Sequence, residues 1–153
     1  MAGVDPQVTA LLPHRPPFLW VDRIIECGPE SIITEKYIPQ DLDIFEGHYP
    51  DHPILPGVIL CEALFQSGAL LIAHIQKNSS HDSPGMPVLS RILMARFKRQ
   101  VGPGDTVTME VKLKEKLASA WFLKGSLRLD NKVALQVEFS CTLAPGKSDG
   151  NSP

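Results

Sequence analysis

The chain has 153 residues, 43% of them hydrophobic, and a formal net charge of -2 at pH 7, with a sequence pI near 6.2. That length supports one domain with its own core and leaves no room for two comfortable ones. The charge balance supplies no basic field for wholesale nucleic-acid binding. Three widely spaced cysteines, Cys27, Cys61 and Cys141, form no C-x-x-C pair, which excludes a disulfide framework and a zinc ribbon and fits a reduced, cytosolic setting.

The opening MAGVDPQVTALL carries an early Asp and Pro, no basic start and no long apolar run. It reads as a short helix over about Pro6 to Leu12 and not as a signal peptide. The prolines of PHRPP, residues 13–17, end that helix by removing backbone donors and restricting the residues before them. Two strand-like runs follow, FLWVDRIIEC and SIITEKYI; the intervening GPE makes them a predicted hairpin. Between Pro39 and Pro56, with Pro50 and Pro53 inside, neither a regular helix nor a central strand is possible. Structureless stretches of that length inside compact domains usually carry function.

A helix begins at Pro56 and Gly57 and runs to about Lys77, where NSSHDSPG stops it. Beyond Met86 the pattern changes to strands: PVLSRILMARFKRQV, DTVTMEVKLKEKL, SAWFLKGSLRL and KVALQVEFSCTL, with period-two alternation clearest from Thr106 to Lys114. GPGD and the Asp130–Asn131 pair supply a turn and a tight hairpin. There is neither internal repeat nor linker, so residues 1–145 are expected to form one α+β domain, followed by a flexible tail over 146–153 with the composition of a frayed end. A helix apolar nearly all round must be covered nearly all round, so the strands are expected to wrap as a curved antiparallel sheet around it.

That helix carries polar residues that argue against a membrane span, namely Glu62, Gln66 and His74. Glu62 and Gln66 stand four apart on one stripe, and Gly68 and Ala69 thin the helix just beyond, so the stripe faces a cavity or another subunit. The plainer alternative, a carboxylate on a solvated rim, is opposed by its apolar neighbours. His48 adds a titratable ring from the proline-stiffened loop. A lone histidine is ordinarily structural, but a histidine and a buried carboxylate in one short segment make the pair that acid–base chemistry needs. His48 and His52 mimic a metal pair, yet Pro50 and Pro53 spoil the helical geometry and no third ligand is evident, so no metal is expected. Cys61 points about 100° away from Glu62 with no base beside it and reads as packing. With no phosphate loop, nucleophile elbow or dinucleotide fingerprint, no nucleotide cofactor is implied.

Three blocks, LLPHRPPFLWVDRI, GHYPDHPILPGVILCEALFQ and ARFKRQVGPGDTV, resemble in order and spacing the signature blocks of the beta-hydroxyacyl-acyl-carrier-protein dehydratases of fatty acid synthesis, from about Leu11 to Leu143. The middle block is the specific one: the histidine of G-H-[FY]-P, followed fourteen residues later by a glutamate beyond P-G-V, separates that family from most relatives of its fold. The resemblance implies a hotdog fold and dehydration of a (3R)-3-hydroxyacyl thioester. It also implies dimers with active sites at the subunit interface, and frequently a trimer of dimers. His48 matches the catalytic histidine and Glu62 the catalytic glutamate, each site taking one from each subunit. Gly57 matches the position whose N–H receives the thioester carbonyl, and Gln66 the glutamine that supports the glutamate.

The implied partner is an acidic acyl carrier protein bearing the substrate on phosphopantetheine. Arg91, Arg96, Lys98 and Arg99 form the densest basic cluster for it, though any one of them reads equally well as a solvated strand end. The blocks commonly read FLLVDR, GHFPG and EAMAQ, so Trp20, Asp51 and Phe65 depart from the pattern. Trp20 and Phe65 are bulky and are candidates for the wall of an acyl tunnel. The alternatives are a hotdog acyl thioesterase and a non-catalytic acyl-binding subunit; retention of both His48 and Glu62 weighs against the second. Enzymes that add double-bond isomerisation usually carry Asp where Glu62 stands.

Overall fold

The computed structural model describes residues 3–79 and 85–145. Helix α1 (Pro6–Leu11) starts at Asp5, whose side chain accepts the Gln7 N–H at 2.9 Å, with proline at the first position, where its missing donor costs nothing. Strands β1 (Arg23–Cys27) and β2 (Ser31–Tyr37) form the expected hairpin. A short α2 (Ile44–Gly47) precedes the long α3 (Gly57–Lys77), and β3 (Met86–Phe97), β4 (Thr106–Leu117), β5 (Ala120–Leu129) and β6 (Lys132–Ala144) complete the described chain. All six strands join one antiparallel sheet in the order β1-β2-β4-β5-β6-β3.

Alternation builds the core. Val107, Met109 and Val111 on β4, with Trp121, Leu123 and Leu127 on β5, are buried on the face toward α3. Two glycines let helix and sheet approach closely. A Cβ on Gly68 of α3 would lie 2.8 Å from Phe139 Cζ, and one on Gly125 of β5 would lie 3.1 Å from Leu64 Cδ2. Ser67 and Thr34, two buried hydroxyls in this contact, are paired: Ser67 Oγ donates to the Ala63 carbonyl at 2.9 Å and lies 2.7 Å from Thr34 Oγ1. By length and composition α3 could cross a membrane, but 67% of that window is buried inside the fold, as befits a core helix.

The tight turn joining β5 and β6 has the expected form, with Asp130 at φ 51 and Asn131 at φ 62. Three regions differ from the sequence reading. The first strand begins at Arg23, not Phe18, because Phe18 and Trp20 commit backbone groups to Arg15 and to the Gln66 side chain. The proline-rich connection contains α2, anchored by the buried Phe45. Strand β3 stops at Phe97, after which the Lys98 and Arg99 N–H groups both donate to the Ala134 carbonyl. The tail over 146–153 lies outside the described residues.

Strand β3 is an edge of the sheet, yet it is long and apolar. Met86, Val88, Leu89, Ile92, Leu93 and Phe97 on it are each between 39% and 53% exposed. Edge strands of soluble proteins are ordinarily short, charged or covered, so this one invites a partner strand.

Candidate active site

Glu62 lies in the second turn of α3, with its side chain 23% exposed. Its Oε1 accepts a hydrogen bond from Gln66 Nε2 at 3.1 Å. Gln66 is itself buried and locked by backbone: its Oε1 accepts the Trp20 N–H at 2.7 Å, and its Nε2 donates to the Phe18 carbonyl at 2.9 Å. Those two partners fix the amide's orientation, since a backbone N–H can only donate and a carbonyl can only accept. The second hydrogen of Nε2 therefore has to face Glu62. Glu62 Oε1 is an acceptor in either protonation state, and any carboxyl proton sits on Oε2. This exchange also explains the late start of β1: residues 18–20 bond to a helix side chain.

A cavity of about 60 Å³ opens at this carboxyl, lined by His14, Glu62, Phe65, Gln66, Leu89 and Cys141 among others. His14 Nε2 stands 3.8 Å from Glu62 Oε1. Phe65 packs edge-on against Phe139, ring centroids 4.9 Å apart. Trp20 does not line this cavity; its ring lies below the Lys36 ammonium at 5.8 Å, and its contribution here is its backbone N–H. Burial, and then the Glu62 charge, push the Cys141 thiol up to about 12, so it is a protonated wall group and no nucleophile. Burial likewise raises Cys61 and Cys27.

His48 caps the C-terminus of α2, its N–H donating to the Ile44 carbonyl at 3.0 Å. Its own carbonyl accepts the Ile54 N–H at 3.1 Å, and its Nδ1 lies 2.9 Å from the Ile54 carbonyl oxygen. A carbonyl offers only lone pairs, so Nδ1 carries the hydrogen and Nε2 is left as the basic atom. The ring stacks on Tyr49 at 4.1 Å. His48 does not line the Glu62 cavity. His52 instead meets Gln100 Oε1 at 3.1 Å on the surface.

Gly57 opens α3, where the first N–H groups lack intrahelical acceptors and the helix dipole is positive. A Cβ there would sit 2.6 Å from Phe97 Cε1, so the aromatic ring of β3 rests directly on the Gly57 backbone. The basic cluster is divided by the fold. Lys98 and Arg99 share a hollow of about 420 Å³ with Lys132, Gln100 and Asp130, whereas Arg91 and Arg96 lie along β3 opposite Ser140 and Gln136. Sequence reasoning missed His14, Phe97 and Lys132; the first two lie in the signature blocks, but no local pattern marks their contacts.

A family profile described as FabA-like domain matches residues 12–138. The 3-hydroxyacyl-[acyl-carrier-protein] dehydratase FabZ of Anaeromyxobacter sp. (strain K) is 38% identical over 138 residues, covering 90% of this chain and 88% of that protein. The chain belongs to the FabZ-type dehydratase family. Its FabZ relative from Ralstonia nicotianae is 36% identical over 147 residues, with 95% and 89% of the two chains covered. Among solved structures, the dehydratase heterocomplex ApeI:P from Xenorhabdus doucetiae superposes with a TM-score of 0.76 at 16% identity, covering 92% of this chain and 91% of that one. An uncharacterized protein, PH1136 from Pyrococcus horikoshii, gives 0.65 at 16% identity, covering 95% and 97%. At such identities the likeness speaks for the fold, the hotdog arrangement of sheet around central helix.

Proposed function

We propose that this protein removes water from a (3R)-3-hydroxyacyl group carried on acyl carrier protein, yielding the trans-2-enoyl thioester, in fatty acid or related lipid synthesis. The observation that carries the reading is the pinned carboxyl: a FabZ-type chain holds Glu62 with Oε1 committed as an acceptor and Oε2 free to bear a proton. In the proposed reaction, His48 Nε2 takes the proton from C2, and the C2–H electron pair becomes the C2–C3 double bond. The C3–O bond breaks as Glu62 Oε2 gives its proton to the departing hydroxyl, which leaves as water. Charge developing on the thioester oxygen is met by the Gly57 N–H and the positive end of α3. Return of the proton from His48 to Glu62, directly or through solvent, restores the starting state.

Within one chain His48 stays outside the Glu62 cavity, and β3 offers an unpaired apolar edge. Both features support a site assembled from two copies joined along β3, with His48 from one and Glu62 from the other, and further assembly into a trimer of dimers. The hollow of Lys98, Arg99 and Lys132, with Arg91 and Arg96 beyond it, supplies positive charge for an acidic carrier. Free cysteines fit a cytoplasmic setting. Trp20 and Phe65 divide their roles: Phe65 shapes the acyl path at the Glu62 cavity, and Trp20 sets the Gln66 amide.

Mass spectrometry of a carrier-bound (3R)-3-hydroxyacyl thioester after incubation with the enzyme tests this. Loss of one water with the thioester intact is the expected result. Release of the acyl group as free acid, or an unaltered substrate over a range of chain lengths, would overturn it.

A further inference from the structure

We infer that His14 is a positioning residue for the dehydration: together with Gln66 it holds Glu62 Oε1 as an acceptor and so directs the carboxyl proton to Oε2. The inference rests on the dehydratase reading and adds a group outside the His48 and Glu62 pair.

Three observations carry it. His14 Nε2 faces the same Glu62 oxygen that Gln66 bonds, at 3.8 Å against 3.1 Å. His14 Nδ1 is buried without a hydrogen-bond partner. A hydrogen on that nitrogen would be a buried, unsatisfied donor, whereas a hydrogen on Nε2 points at a carboxyl oxygen. The tautomer with Nε2–H is therefore favoured, and both nitrogens around Glu62 Oε1 present hydrogens to it. The third observation is how firmly His14 is held. Arg15 Nη1 donates to the His14 carbonyl at 2.7 Å and to the Leu12 carbonyl at 2.6 Å, while Nη2 donates to the Thr9 carbonyl at 3.0 Å. The His14 ring stacks with Phe18 at 6.4 Å, and the Phe18 carbonyl is the acceptor that orients Gln66.

The separation of 3.8 Å exceeds a hydrogen bond. In the free chain the contact is electrostatic, and such contacts in unliganded sites commonly tighten when substrate closes them. As Oε2 loses its proton to the leaving hydroxyl, the new carboxylate charge gains a second N–H donor. His14 also lines the larger groove, about 510 Å³, between α1, α3 and β3, so its ring stands where that groove meets the Glu62 cavity. The other titratable groups facing Glu62 are Cys141 on β6 and, in the proposed two-copy site, His48; the Arg15 guanidinium is taken up by backbone carbonyls.

The test combines kinetics with nitrogen NMR on the full-length enzyme. His14→Phe should lower kcat roughly tenfold, well under the contribution of the acid itself, about 10²- to 10⁴-fold, with KM little altered. His14→Gln, which keeps an N–H donor, should recover most of the rate. Unchanged kcat in His14→Phe, or His14→Gln impaired as badly as His14→Phe, would overturn the inference. Nitrogen-15 spectra of the wild type need no variant to fold: hydrogen on His14 Nε2 is expected, and hydrogen on Nδ1 would overturn it. If the wild type forms no enoyl product, the dehydratase reading fails; if it does and His14→Phe matches it, only the role of His14 fails.

Discussion

The two suppliers of the candidate site are held by opposite means. Among the described residues, the partners of His48 all lie within six residues of it: Ile44 behind, Tyr49 beside and Ile54 ahead, the hydrogen bonds all to backbone. Glu62 is oriented by Gln66, and Gln66 in turn by Phe18 and Trp20, 48 and 46 residues away. The candidate base is thus a product of local chain geometry, and the candidate acid a product of tertiary structure. Damage on the loop side should cost rate alone, while damage to the Gln66 network that holds the helix side should cost rate and stability together.

His48→Ala gives the largest expected loss, a fall in kcat of about 10²- to 10⁴-fold. The thermal midpoint should barely move, since one hydrogen bond worth about 1 kcal/mol is removed from a half-buried ring. Following enoyl absorbance alongside a thermal melt checks both halves, and a large drop in melting temperature would break the comparison. Glu62→Gln removes the proposed proton donor while keeping shape, and should lower kcat by roughly 10²-fold in a well-folded protein. Gln66→Leu should do what His48→Ala does not. It leaves the Trp20 N–H and the Phe18 carbonyl without their partner, at about 1–3 kcal/mol each, and frees Glu62 to rotate. Urea unfolding should report that destabilisation, and kinetics a loss of roughly tenfold.

Gly57→Ala sits between the two regions. Its Cβ would meet the Phe97 ring at 2.6 Å, so the ring has to move off the helix N-terminus. A fall in kcat/KM of roughly tenfold is expected, partly recovered in the double variant with Phe97→Ala, because contacting sites are non-additive. Strict additivity would show that the ring does not rest on that backbone. The smallest effect at neutral pH belongs to Cys141. Its thiol is raised in the folded state from an ordinary 9.0 to about 12, so its contribution is complete below pH 9. Above that pH the unfolded chain alone sheds the proton, and stability falls by up to about 1.4 kcal/mol per pH unit until the folded value is reached. Urea titrations from pH 8 to 11 should give a steeper decline in the wild type than in Cys141→Ala.

Much of the fold was legible because its signals are local. The α3 bounds follow from Gly57 and the stop after Lys77, the β1–β2 hairpin from its turn, and the β5–β6 connection from Asp130 and Asn131. What escaped is long-range or short. FLWVD reads as strand because it is apolar, but two of its backbone groups bond Gln66. Four residues of α2 are too few for a helical period to register. No pattern places β3 at a sheet edge, brings Lys132 beside Lys98 and Arg99, or turns His14 toward Glu62. The candidate base and acid were visible as a pair; the network that aims the acid was not.

Mixing His48→Ala with Glu62→Gln under subunit exchange, and following water loss from the carrier-bound substrate, tests most directly that two copies build one dehydratase site. Each variant alone should be nearly inactive. Their hybrid has one intact site and one doubly altered site, so the equilibrated mixture should regain about a quarter of wild-type activity. Hybrids that form, as native mass spectrometry would report, yet stay as inactive as the parents would contradict the account.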